Sequence, residues 1–278
     1  MPSSGESILQ IPSGEDLLHA VYHRAVHESA SGIIFCDPFA EEKKCAHRVL
    51  VEAARALTGV DLNCLRFDYR GCGDSSGEFH DFTPADWMKD ILAVADYMRS
   101  ELATATLGVL GLRLGATMAI SAAEAAEVFD FAVLWEPIIN GEQYMKMNLR
   151  RSLIKAMMTD GDNFVADDVR RQHTGTQMLD FDGYQVSQET REQIAGMDLF
   201  EVASHFTNPV LLLNITSREE VSDQFSELAE AMPHTRAEAV VEEPFWNRIG
   251  LVSSQRVTTA TALWLAELQA SILNSTAT

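Results

Sequence analysis

The sequence predicts an α/β protein: a mostly parallel eight-stranded sheet with helices on both faces and a helical cap insertion. Two features carry that prediction. Short apolar runs alternate with stretches of helical spacing, and the alternation breaks once, over residues 140–207, before it resumes. A run that is apolar at every position suits a strand buried on both faces, and an intervening helix is the connection that parallel strands need. Such crossovers are right-handed.

The first element is a hairpin. Residues 7–11 and 17–23 flank Pro12-Ser13-Gly14-Glu15-Asp16, a cluster of turn formers. Gly32-Ile33-Ile34-Phe35-Cys36 is the first fully apolar strand. Residues 43–57 then place Cys45, Val49, Val51, Ala53, Ala54 and Leu57 at helical spacing, and 62–67 form the next strand. Trp87, Ile91, Val94, Ala95 and Met98 mark a helix with Thr83 as N-cap and Pro84 at its first position. Strand 106–110, helix 114–128 and strand 131–135 follow. Residues 140–207 hold helical pieces at 144–158 and 166–173 and a hairpin around Phe181-Asp182-Gly183-Tyr184. That is too long for a loop, so the segment is expected to cap the C-terminal edge of the sheet within a single 1–278 domain. Strand 210–215, helix 221–231, edge strand 237–241 and closing helix 257–273 complete the pattern.

Bulk properties exclude several functions. The chain has 278 residues, 46% hydrophobic and 22% charged, an ordinary globular composition. Its net charge of −20, from 41 acidic and 21 basic residues, repels nucleic acid and anionic membranes, and serves solubility. The four cysteines have no C-x-x-C spacing, which argues against a zinc site and for reduced thiols in a cytoplasm. Neither a signal peptide nor a membrane-spanning apolar run is visible. The expected partner is a small molecule, with no metal, cofactor, nucleic acid or membrane insertion; a homodimer is compatible with this composition.

The most informative segment is residues 107–119, LGVLGLRLGATMA. A buried strand, a Gly-x-x-x-Gly turn and a helix resemble the nucleophile elbow of α/β-hydrolases, whose pattern is G-x-S-x-G. Here it reads Gly111-Leu112-Arg113-Leu114-Gly115, with arginine in the serine's place. A guanidinium is permanently protonated and cannot attack a carbonyl. Residues 37–44, DPFAEEKK, and 68–75, DYRGCGDS, look like the loops after the third and fourth strands of the same superfamily. More narrowly, PFAEE, RGCGDSSGEF, GLRLGA, LWEPIINGEQ and EEPFW, spread over residues 37–246, resemble exosortase-A-system-associated hydrolases of the second type. That resemblance implies an α/β-hydrolase fold, a bacterial accessory role beside protein sorting and exopolysaccharide production, and Arg113 as a family trait.

The superfamily's chain order is nucleophile, acid, histidine. Strand 210–215 is followed by Thr216-Ser217-Arg218-Glu219-Glu220 where the acid usually stands. The last strand is followed by Glu242-Glu243-Pro244-Phe245-Trp246, with no histidine; His205 and His234 precede strands and belong at the wrong end of the sheet. Losing a triad serine or histidine lowers kcat about a millionfold in a serine protease. Candidate catalytic residues are therefore Asp37, Cys72 and Glu136, with Cys72–His80 as an alternative pair. Glycines around Cys72 read more readily as tight-loop geometry than as support for a nucleophile, and Glu136 also reads as the counter-ion of Arg113.

Arg113 is expected at a helix N-terminus, where a cation is disfavoured by about 0.3–1 kcal/mol unless an anion is close. Asp37, Glu41 or Glu136 would supply that anion in a bracing ion pair. Alternatively Arg113 and the N–H groups of Leu114 and Gly115 bind a carboxylate or phosphate. The N–H groups of Leu114 and Phe39 fall where the superfamily builds its oxyanion hole. Phe39, Tyr144, Trp135 and Trp246 are candidate apolar walls. The expected ligand-binding set is thus Arg113, Leu114, Phe39, Glu136 and Trp246. Three functions remain open: a triad-less binder of a small anionic or acyl ligand, a hydrolase of an ester, thioester or amide with an unconventional site, and a non-catalytic protein-interaction scaffold.

Overall fold

The computed structural model describes residues 5–160, 178–248, 250 and 252–276. Its main sheet has eight strands in the order β1-β2-β4-β3-β5-β6-β9-β10. Strands β1 (Glu6–Ser13) and β2 (Asp16–His23) form the expected hairpin, with Ser13 opposite Asp16. β2 runs antiparallel to β4 (Asn63–Phe67). The remaining strands, β3 (Ser31–Cys36), β5 (Thr106–Leu112), β6 (Phe131–Trp135), β9 (Val210–Thr216) and β10 (Thr235–Val241), extend the sheet in parallel from β4.

The continuous apolar runs follow from burial on both faces. On β3, Ile34 and Cys36 face one core while Ile33 and Phe35 face the other; on β5, Leu107 and Val109 oppose Leu110 and Leu112. Helices α2 (Pro84–Ser100) and α3 (Leu114–Ala126) cover the first face, and α1 (Glu41–Leu57) covers the second. The expected cap on α2 is present: the Thr83 N–H and hydroxyl both donate to the Asp86 carboxylate, at 3.1 and 2.9 Å, ahead of Pro84. α1 begins at Glu41, two residues earlier than its apolar spacing suggests.

Between β6 and β9 the chain leaves the sheet. It forms α4 (Gly141–Asp160), the two-stranded hairpin β7 (Met178–Phe181) and β8 (Tyr184–Ser187), and helices α5 (Gln188–Ala195) and α6 (Leu199–Ala203). The hairpin turns at Asp182-Gly183, both at positive φ, as the Asp-Gly dipeptide favours. The helical piece expected at 166–173 lies outside the described residues. Tyr184 packs edge-on against Phe79 at 5.0 Å, which seats the hairpin on the segment after β4. Helix α7 (Asp223–Ala231) joins the α2–α3 face, and α8 (Gln255–Thr276) lies beside α1 on the other. Among the described residues no helix is long and apolar enough to cross a membrane.

Candidate functional site

The turn at the end of β5 has elbow geometry. Arg113 holds φ 55° and ψ −123°, a conformation that costs a non-glycine residue about 1–3 kcal/mol. Hydrogen bonds hold it there: the Arg113 N–H donates to Trp135 O at 3.0 Å, and its carbonyl accepts from Ala116 N at 3.1 Å and Ile138 N at 3.4 Å. The two glycines are sterically required. A Cβ on Gly111 would lie 2.3 Å from Ala116 Cα, and one on Gly115 would lie 2.3 Å from Cys36 O and 2.4 Å from Asp37 O. Gly115 therefore lets the first turn of α3 rest on the loop after β3. The N–H groups of Leu114 and Gly115, in that first turn, have no intrahelical acceptor.

The Arg113 side chain, 12% exposed, lies in an aromatic clamp. Its guanidinium carbon sits 4.9 Å above the Trp246 ring and 5.7 Å from the Tyr144 ring. Nε reaches Glu42 Oε1, and Nη1 reaches the Glu136 carbonyl, each at 3.5 Å. Glu42 is buried, and its other oxygen accepts a 3.1 Å hydrogen bond from the Tyr144 hydroxyl. Burial raises the Glu42 pKa, against the opposing charge of Arg113 and the Tyr144 hydrogen bond. The Tyr144 pKa is pushed well up by burial and by the Glu42 charge.

The ion-pair partner of Arg113 is thus Glu42, and none of Asp37, Glu41 or the Glu136 carboxylate. Ala40, at φ 52° and ψ −126°, starts α1 so that Glu42 shares the inward face with Cys45, Ala46, Val49 and Leu50. Glu136 is diverted by its own backbone, at φ 44°: its carboxylate accepts from Asn214 Nδ2 at 3.0 Å and Ile215 N at 2.6 Å. Burial nevertheless raises its pKa, against those two donors and Arg113.

A second cluster forms at the ends of β3 and β4. Lys43, unremarked in the sequence, places Nζ 2.5 Å from both Asp37 Oδ2 and Asp68 Oδ1. Burial works against the Lys43 charge, but the two carboxylates override it and raise its pKa; Asp68 is held below its usual value by Lys43 and the Asp74 N–H despite burial. Asp37 is therefore engaged, and Asp74 is largely exposed. Cys72 is buried, and burial pushes its thiol up to about 12 although Lys43 opposes the shift. His80 pairs with Asp81 at 3.6 Å and is exposed. Cys72 is therefore neither accessible nor held as a thiolate.

The aromatic residues divide. Trp246, in the segment after β10, meets Arg113, as does Tyr144. Phe39 is buried between Phe79 and Trp87, at 5.7 and 5.9 Å, away from the guanidinium clamp. Trp135 faces the opposite core, where its indole N–H donates to Thr261 Oγ1 at 2.9 Å, so it is no wall of this site. The His234 carbonyl accepts from Val210 N, the first residue of β9, which puts it at the far end of the sheet from Arg113; His205 pairs with Glu124 at 2.7 Å. Among the described residues no group of three or more His, Cys, Asp or Glu side chains is arranged to hold a metal ion.

No protein-family model matches the chain, and no curated protein matches it. Solved structures do. The chain is similar to Est1E from Butyrivibrio proteoclasticus with ferulic acid bound, at 18% identity and TM-score 0.72, covering 94% of this chain and 99% of that one. It is similar to a proline iminopeptidase of Mycobacterium smegmatis, at 14% identity and TM-score 0.64, covering 95% and 100%. An esterase of Pyrococcus furiosus is 14% identical, with TM-score 0.59, covering 97% and 91%. The strand order, the elbow after β5 and these likenesses agree: the chain has the α/β-hydrolase fold.

Proposed function

We propose that this protein works without a Ser-His-Asp triad and binds a small anionic or acyl-bearing ligand at Arg113, beneath a cap formed by the described residues between β6 and β9 of a single domain. One observation carries this. The strained elbow backbone is retained around an arginine whose two polar contacts among the described residues are both 3.5 Å long. Short charge-assisted bonds run about 2.7–2.9 Å, so this guanidinium is under-bonded. A ligand anion would also meet the N–H groups of Leu114 and Gly115 and the positive end of α3. Trp246 and Tyr144 would flank it. Est1E with ferulic acid bound supports a small-molecule ligand in this fold. The resemblance of PFAEE and GLRLGA adds an accessory role in exopolysaccharide-linked metabolism in a bacterial cytoplasm.

A hydrolase working through Asp37, Cys72 and Glu136 has less support, because Lys43, burial and Asn214 respectively occupy or silence them. A purely structural Arg113, as in an interaction scaffold, is favoured by the clamp of Trp246, Tyr144 and Glu42 around it. Titration calorimetry with small anions, beside an ester, thioester and amide turnover panel, separates the three. Anion binding abolished by Arg113→Met, with turnover at background, is the expected result. Turnover well above background that survives Arg113→Met would overturn the proposal.

A further inference from the structure

We infer that the Arg113 ligand is a carboxylate monoanion that takes the place of the Glu42 carboxylate, and that its binding is coupled to uptake of one proton by Glu42. This rests on Arg113 being an anion site, and goes further by naming the ligand class and its linkage to pH.

Charge balance selects the class. The clamp holds one cation, Arg113, and one buried carboxylate, Glu42, with a second, half-buried carboxylate, Glu136, close enough to feel Arg113. If a monoanion replaces Glu42 on the guanidinium and Glu42 takes a proton, the local charge before and after is the same. A phosphate dianion would leave one extra negative charge among these carboxyls in a chain of net charge −20. The walls agree, because two rings beside a planar guanidinium favour a planar group. Glu42 is built to accept the proton. It is buried, its side chain meets Arg113 and Tyr144 among the described residues, and the Tyr144 hydroxyl can turn to accept from the acid. The charged and titratable groups around it are Arg113 at the elbow, Tyr144 and Arg151 on α4, and Cys45 on α1. Arg151 is tied to Asn247 Oδ1 at 2.9 Å, which leaves Arg113 as the cation in direct contact.

The test is calorimetry of the full chain with benzoate, hexanoate and inorganic phosphate, each in two buffers of different ionisation enthalpy. Expected is carboxylate binding with uptake of about one proton, tightening about tenfold for each pH unit lowered while uptake persists. In Glu42→Gln the neutral amide neither competes for Arg113 nor takes a proton, so carboxylate binding tightens and loses both the uptake and the pH dependence. If Glu42→Gln does not fold, infrared spectra of the wild-type protein replace it: benzoate must bring up the band of a buried protonated carboxyl. Carboxylate binding without proton uptake, or uptake that persists in Glu42→Gln, overturns the inference. Phosphate binding preferred over both carboxylates overturns it while leaving the anion site standing. Failure of all three ligands overturns both.

Discussion

Replacing Arg113 by methionine should be costly, and costly in a pH-dependent way. Methionine keeps an apolar stem against Trp246 and Tyr144, so little packing is lost. What is lost is the cation beside Glu42, whose side chain is only 8% exposed. Removing one partner of a buried pair costs about 3–5 kcal/mol. The contact here is single and 3.5 Å long, and Glu42 keeps its Tyr144 bond, so the lower end, about 3 kcal/mol at neutral pH, is expected. The sign with pH follows. Burial already raises the Glu42 pKa, and removing Arg113 raises it further. A carboxyl whose folded pKa exceeds its unfolded value favours the fold below the unfolded value and loses that favour as pH rises through the folded one. The deficit of Arg113→Met should therefore shrink towards acid pH and grow towards alkaline pH. Glu42→Gln added to Arg113→Met should recover most of it, with a coupling of about 2–3 kcal/mol. Urea unfolding of the four proteins across pH measures this. A deficit independent of pH, or a double variant no more stable than Arg113→Met, would refute the reasoning.

Gly115→Ala should destabilise by about 1–3 kcal/mol or fail to fold, because its Cβ would collide with the carbonyls of Cys36 and Asp37; a midpoint like the parent's would show that the elbow contact is not as described. Cys36, Cys64 and Cys72 should resist iodoacetamide in the folded protein, since burial raises all three thiols; rapid labelling of Cys72, seen by mass spectrometry, would reopen a thiol nucleophile. Lys43→Met should cost about 3 kcal/mol at neutral pH, with the loss fading in acid. Asp68, held below its usual pKa, lends stability above its unfolded value and loses it as pH falls through the folded one, so the parent's acid-unfolding step should flatten in the variant.

The sheet was legible because burial on both faces leaves a direct trace in sequence, and the hairpin at 178–187 because Asp182-Gly183 selects its turn. The elbow was legible as well, since Arg113 stands between two glycines that the turn demands. Its partner was not. Starting α1 at residue 43 leaves Glu42 in a loop, although Glu42, Cys45, Ala46, Val49 and Leu50 lie on one helical face. Extending the helical spacing two residues upstream would have exposed a carboxylate among apolar residues. Glu136 misled for a backbone reason: a positive φ at a non-glycine residue turned it towards β9, and sequence carries no trace of that. Lys43 was hidden because an unpaired lysine in KK reads as a solvated charge, and only the fold brings Asp37 and Asp68 to it. Trp135 lies on the wrong side of a strand whose alternation was invisible, as every residue in it is apolar.

In the function proposed above, the elbow arginine receives an anion where a G-x-S-x-G elbow holds its nucleophile. A crystal structure of the protein with a bound monocarboxylate tests it most directly. The carboxylate is expected on the Arg113 guanidinium and the N–H groups of Leu114 and Gly115, with Glu42 displaced and still bonded to Tyr144. A ligand bound elsewhere, with the Arg113–Glu42 pair intact, would contradict it.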